Sequence, residues 1–490
     1  MKPNILFIMI DALRSDMLTC YDLRGVATPN IDRLVKEGVL FREAFSCSNS
    51  TDPSVTSMMT GLYPHRHGII HQGEYVTPEE IAKVRRVQWW LPELLQAAGY
   101  HTLAIDFLGR WHRRGFDEYS GFLRQYLAIY RAIKRIIYKL KLWDFAHLIM
   151  TVIGGRQSKI APSIFEEYDN AQLEVNRAIE MVKNEHNEPF FLFLHFWDVH
   201  APYVPPDRFV QVNSPVGGGE RRSMASALAE INNPAWRQFA WRLSRKSTYV
   251  DEVVALYRGE VAFVDEQLGR LWETLERLGL MDETLIILTS DHGESLGEHG
   301  IYFDHHGLYD VTIRVPLILR YPPALPRGLQ IKGLVQHVDL MPTMLELLGI
   351  EAPDSLDGRS LLPAISRGVA DHRPLIFAVE THGQHKMALR TERYKYICAP
   401  SEKEAFCRYC GKIHGGVEEL YDLARDPGET ENLAETEPEV RRMLAEQLAK
   451  WQEALERRDA SEPELPAVEI EFTEEEKRMV EERLRDLGYM

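Results

Sequence analysis

The sequence predicts an α/β fold built on a doubly wound, mainly parallel sheet. Three observations lead there. Short apolar runs without polar alternation recur along the chain, as in strands buried on both faces. Helical patterns with start and stop signals lie between them. Polar residues that can ligate metal or transfer protons, aspartate and histidine, follow the runs directly.

The predicted strands are "NILFIMI" before Asp11, "HTLAID" ending at Asp106, "PFFLFLHFW" before Asp198 and "TLIILTS" before Asp291. "TPNIDRLVKEGVLF" is a helix with a Thr28-Pro29 start and a Gly38 stop, while "WWLPELLQAAGY" and "VDEQLGRLWETLERLGL" end at Gly99 and Gly279. Ligands of open α/β sheets bind outside the carboxyl ends of the strands. Asp11, His200, Asp291 and His292 are therefore expected to converge there.

With 490 residues the chain exceeds one core. Residues 1–365 form the expected catalytic domain. From 366 to 490 the texture changes to short alternating strands, "PLIFAVETHGQHKMALRTERYKYICAP", and then to helices, which predicts a smaller α+β domain. An insertion at about 122–155 stands apart. Its segment 122–143 carries six basic side chains and no acid, with Leu123, Leu127, Tyr130, Ile133, Ile137 and Leu140 on one helical stripe. An inserted helix packed on the domain, contact with an anionic lipid or partner surface, and a lid are the three readings.

The net charge of −16 excludes a general nucleic-acid binder. Five cysteines fit a reducing compartment. The first apolar run is too short for a leader peptide and no run approaches a spanning length, so a cytoplasmic location is expected. Cys398, Cys407, Cys410 and His414 have a spacing that suits a small Cys3His zinc site, against plain surface thiols.

Asp291-His292 supplies one oxygen and one nitrogen to a divalent ion, and Asp11 a further carboxylate. Thr51 precedes Asp52-Pro53, a helix start with Asp52 as the expected N-cap. Its hydroxyl would point at a helix N-terminus, which favours anions. Threonine is a weak nucleophile unless an adjacent metal lowers its pKa. His65 and His67 in "YPHRHG" are expected to shape the turn after this helix.

Together these segments resemble the sulfatase family of the alkaline phosphatase superfamily. "TDPSVTSMMTGLYPHRHG" is similar to its signature, "GRWHRRGFDEYSGF" to its Gly-Lys-Trp-His segment, and "FLHFWDVHAPYVPP" to its His-x-Pro-Tyr stretch. "TSDHGESLGEHG", "YDVTIRVPLILR", "ELYDLARDPGETENLA" and "RLRDLGY" match later parts. The resemblance implies metal ligands at Asp11, Thr51, Asp291 and His292, with Ala12 where a second aspartate is common. It implies catalytic roles for Thr51, His112 and His200, and substrate binding by Arg110 and His305. His305 follows by counting back from Tyr309-Asp310; counting from Gly300 gives Asp304. One divalent ion (Mn, Zn, Ca or Mg) is expected. Two ions are the alternative, with Asp198, His200, His305 and His306 as further ligands.

The departures from the family set the chemistry. Sulfatases convert a signature Cys or Ser to formylglycine, and an Arg holds the aldehyde hydrate. Here those positions are Thr51 and Val55. A threonine is typical of relatives that transfer phosphoryl groups. The expected function is a metal-dependent hydrolase of anionic phosphate or phosphonate esters, a diester or monoester. The alternatives are sulfate-ester hydrolysis without formylglycine, a phospho-headgroup transferase acting on lipid or glycan, and a non-catalytic binding protein, which would hold no metal.

Overall fold

The computed structural model describes residues 2–120, 170–185, 188–213, 221–244, 247–368 and 372–461. The basic segment 122–143 and the closing "RLRDLGY" lie outside them.

The predicted apolar runs form the middle of one nine-stranded sheet. Its strands are β1 (Asn4–Ile10), β2 (Val39–Phe45), β3 (His101–Ile105), β4 (Glu118–Ser120), β5 (Phe190–Phe196) and β6 (Thr284–Thr289). A small hairpin, β7 (Ser295–Leu296) and β8 (Tyr302–Asp304), follows β6 without joining the sheet. β9 (Arg314–Val315), β10 (Leu317–Arg320) and β11 (Leu329–Gln336) complete it. The order is β11-β2-β10-β6-β1-β5-β3-β4, with β9 beside β2. β1 runs parallel to β5 and β6, whereas β10 is antiparallel to both its neighbours.

The missing alternation now has its cause. Successive side chains of β1 enter different cores. Leu6, Ile8 and Ile10 pack on one face with the helices Ala171–Glu185 and Val250–Arg277. Ile5, Phe7 and Met9 pack on the other with Thr51–Thr60 and Leu340–Leu348. Both faces are covered, so every position after Asn4 is apolar.

The second sheet is antiparallel: β12 (Leu375–Glu380), β13 (Lys386–Thr391), β14 (Tyr394–Cys398) and, after the hairpin β15 (Phe406–Cys407) and β16 (Lys412–Ile413), β17 (Glu418–Asp422). The helix Pro438–Ser461 covers one face, with the Trp451 ring stacked on Phe377 at 4.0 Å. On the other face Ile376 and Ala378 share a core with Phe45 and Leu334 of the large sheet. Among the described residues no helix is long and apolar enough to cross a membrane.

Candidate metal centre

The carboxyl ends of β1, β5 and β6 lie side by side, and their next residues form one pocket. Asp11 follows β1 and Asp291-His292 lie just after β6. Their donor atoms lie within 4.8 Å of one another, all buried. His292 Nε2 is 3.3 Å from Asp291 Oδ2 and 3.7 Å from Asp11 Oδ1. Asp11 Oδ1 and Asp291 Oδ2 have no hydrogen-bond partner. His292 gives its Nδ1–H to Gly293 O at 2.8 Å, which leaves Nε2 as a lone-pair donor. Burial and the Asp11 carboxylate push Asp291 above the ordinary carboxylate range. Two orphaned buried carboxylate oxygens beside an unprotonated nitrogen fit a shared divalent cation.

Thr51 is the first residue of the helix Thr51–Thr60, and its hydroxyl donates to His292 Nε2 at 3.3 Å. The predicted cap is corrected: Ser50 is the N-cap, without a side-chain bond, and Asp52 lies inside the helix. Its carboxylate turns away, because its second oxygen takes Gly73 N–H at 2.7 Å while its first collects Arg110 and His112. Burial opposes the charge, but Arg110 and His112 outweigh it and hold Asp52 well below the usual range. The Arg110 guanidinium is thus committed to Asp52, Gly73 O and the Trp111 ring. His112 Nε2 is 3.0 Å from Asp52, and burial keeps its pKa below 6.5. Arg110 and His112 therefore brace Asp52, next to Thr51, where a free cation and a free acid were expected.

His200 fixes its ring by giving Nδ1–H to Ala201 O at 2.8 Å. Its ring centroid lies 5.7 Å from His305 and 6.4 Å from His292. His305 stacks on His292 at 4.1 Å and on His382 at 4.5 Å. Burial, then the charges of His292 and His382, drive its pKa well below 6.5, so it is a neutral donor. Asp304, His305 and His382 form a second buried group of potential ligands.

The second-ion expectation is corrected at two positions. Asp198 accepts Ala171 N–H at 2.8 Å and so caps the start of the helix Ala171–Glu185. His306 turns from the pocket toward Cys410. The predicted Cys398 ligand also fails, since Cys398 ends β14 and belongs to the core under the helix Pro438–Ser461. His67 does shape its turn, bonding Ser57 Oγ and taking Ile69 N–H.

Sequence reasoning missed His195 and His382 as site neighbours, and offered Asp304 only as the alternative to His305. His195 hides inside the apolar strand β5, with Nδ1 on Asp106 at 2.7 Å and Nε2 3.8 Å from Asp11 Oδ2. Burial works against its protonation, but Asp106 and Asp11 raise its pKa to about 9. A histidine within an otherwise apolar buried strand was the available signal. His382 comes from the second sheet's first turn and had none.

Buried acidic and imidazole donors at the carboxyl ends of a doubly wound sheet make a candidate metal centre, and the family match assigns it to a metal-dependent hydrolase. The Sulfatase family profile matches residues 3–350, and a profile described as "N-sulphoglucosamine sulphohydrolase, C-terminal" matches residues 297–454. The chain belongs to the sulfatase family of the alkaline phosphatase-like superfamily. It is 25% identical to an N-acetylglucosamine-6-O-sulfatase of Bacteroides thetaiotaomicron, over 88% of this chain and 82% of that one. It is 26% identical to a multifunctional alkaline phosphatase superfamily protein of Trinickia caryophylli, covering 88% and 91%. Among solved structures, the phosphonate monoester hydrolase of Agrobacterium radiobacter superposes with a TM-score of 0.68 at 23% identity, covering 94% and 96%.

Proposed function

We propose that this chain hydrolyses phosphate or phosphonate esters with Thr51 as the nucleophile. The observation that carries the reading is the Thr51 hydroxyl 3.3 Å from His292 Nε2, beside the orphaned oxygens of Asp11 and Asp291. Asp11, Asp291, His292 and Thr51 would hold a divalent ion. Its chemistry when bound is positive charge beside the threonine hydroxyl and the oxygens of the transferring group.

The chain's own residues do the rest. Thr51 sits at a helix start, where the dipole favours an anion. Asp52, braced by Arg110 and His112, fixes that start relative to the strand ends. His200 holds Nε2 toward the pocket, placed to hold or hand on a proton at the leaving oxygen. Asp304, His305 and His382 supply a second donor set, which suits the two-ion arrangement used for in-line phosphoryl displacement.

Sulfate-ester hydrolysis is the second reading, favoured by the names of the relatives. The two separate in one assay. Purified protein is offered an aryl phosphodiester, phosphomonoester, phosphonate monoester and sulfate ester, with and without added divalent ions. Metal-dependent turnover of a phosphorus ester, reduced about a thousandfold or more by Thr51→Ala, is expected. Turnover of the sulfate ester alone, unchanged by Thr51→Ala, would sink the proposal.

A further inference from the structure

A cluster of soft ligands lies beside the metal pocket but does not belong to it. His306, Cys407, Cys410 and His414 place four donor atoms within 4.8 Å of one another, all four residues buried. We infer that they bind a structural zinc ion, which clamps the loop carrying His305 to the smaller sheet's hairpin.

The donor set is the first argument. Two sulfurs and two imidazole nitrogens in a closed group suit tetrahedral zinc, where Zn–S bonds of about 2.3 Å set the sulfurs just under 4 Å apart. Four protein donors leave no open position, so the role is structural.

The local fold is the second. The Cys407-x2-Cys410 pair sits in the turn between β15 and β16. Gly411 N–H closes the turn on Cys407 O at 2.9 Å, and Cys410 N–H points at Cys407 Sγ at 3.4 Å. Gly411 has φ of +71°, which a side chain would strain. The turn is tethered from outside as well, since Asn232 N–H donates to Cys410 O at 2.8 Å.

The surroundings of the histidines are the third. Each ring turns one nitrogen away from the sulfurs, toward a carbonyl or carboxylate oxygen, and the other toward them. His414 gives Nδ1–H to His299 O at 3.1 Å. His306 has Nδ1 3.3 Å from Asp304 Oδ1 and Nε2 3.3 Å from Cys410 Sγ. A carbonyl or carboxylate behind a histidine is the usual orienting partner of a zinc ligand. Because Asp304 also belongs to the His305–His382 group, the zinc would fix one edge of the catalytic pocket without touching substrate.

The test uses the whole chain, purified without chelator. Elemental analysis should find at least one zinc per chain that survives dialysis, and a mercurial thiol reagent should release one equivalent. Cobalt exchanged into that site should give an intense sulfur-to-cobalt charge-transfer band. His414→Ala and Cys407→Ser should each take this metal from one equivalent to none. The double variant Asp11→Asn, Asp291→Asn should keep the zinc and the band, since those residues serve the other centre. If the cysteine or histidine variants do not fold, zinc content and the cobalt spectrum of the unaltered chain decide. A native chain without thiolate-bound metal would overturn the inference. So would a Cys407–Cys410 disulfide, or two thiols that react at once in the metal-loaded protein.

Discussion

His337 shows how one buried side chain sets the pH response of the fold. It lies 2% exposed behind the metal pocket, and burial, chiefly, pushes its pKa down to about 3 from 6.5. Between those values the unfolded chain carries a proton that the folded one refuses. Stability is therefore full above pH 6.5 and falls as pH drops through that window, by about 1.4 kcal/mol per unit for this one group. Denaturant titrations from pH 7 to pH 4 should show His337→Leu with a shallower slope than the unaltered chain. An equal slope in both would mean that His337 is protonated in the fold. At this scale the sequence was legible where a polar residue followed an apolar run, as with Asp11, Asp291 and His292. It was opaque where function depends on a partner far along the chain. Asp52 read as a cap because its real partners, Arg110 and His112, stand some sixty positions away.

At the scale of elements, the turn after β6 carries a tight constraint. Gly293 N–H donates to Thr312 O at 2.8 Å, and a Cβ at Gly293 would run into the Val311 carbonyl oxygen. That oxygen is backbone, so it cannot swing aside. Gly293→Ala should shift His292, whose ring is pinned to Gly293 O, and cost about 1–3 kcal/mol. Thermal unfolding should show the loss, and ester turnover should fall further than stability does. Unchanged turnover would mean that the turn relaxes freely. The strand ends and helix stops could be read from sequence, because period and punctuation are local. The helix Val250–Arg277 shows the limit: its stop at Gly279 was legible, but not its 28-residue length, which depends on packing along the whole sheet face.

Across the whole molecule, the smaller sheet completes the site as well as supporting it. It lends His382 to the pocket, and it is tied to the larger domain by Lys395. That ammonium is fully buried, 2.5 Å from Asp310 and 2.6 Å from Glu429. Removing it leaves two carboxylates close together, with Arg390, 3.2 Å from Asp310, as the remaining cation and none paired to Glu429 among the described residues. Lys395→Met should cost about 3–5 kcal/mol in urea unfolding. A loss below about 1 kcal/mol would show that water reaches the carboxylates and that the tie is weak. This link was invisible in the sequence, where Lys395 is one basic residue among several in a predicted strand.

The place of β1 has a consequence in time. It lies in the middle of the sheet, yet its partners are β5 at residues 190–196 and β6 at 284–289. At a synthesis rate of about 5–20 residues per second, β6 follows β1 by roughly 15–60 s. Until β5 emerges, β1, apolar after Asn4, has both edges unpaired, and until β6 follows it keeps one edge open, a ready template for wrong pairing. Contacts of such long range also make the final search slow. Asp11 and Asp291 meet only when β6 docks, so the metal pocket assembles with the closing of the sheet. The yield of active protein should thus depend on what shields the first strand while the chain is made, more than on the stability of the finished fold.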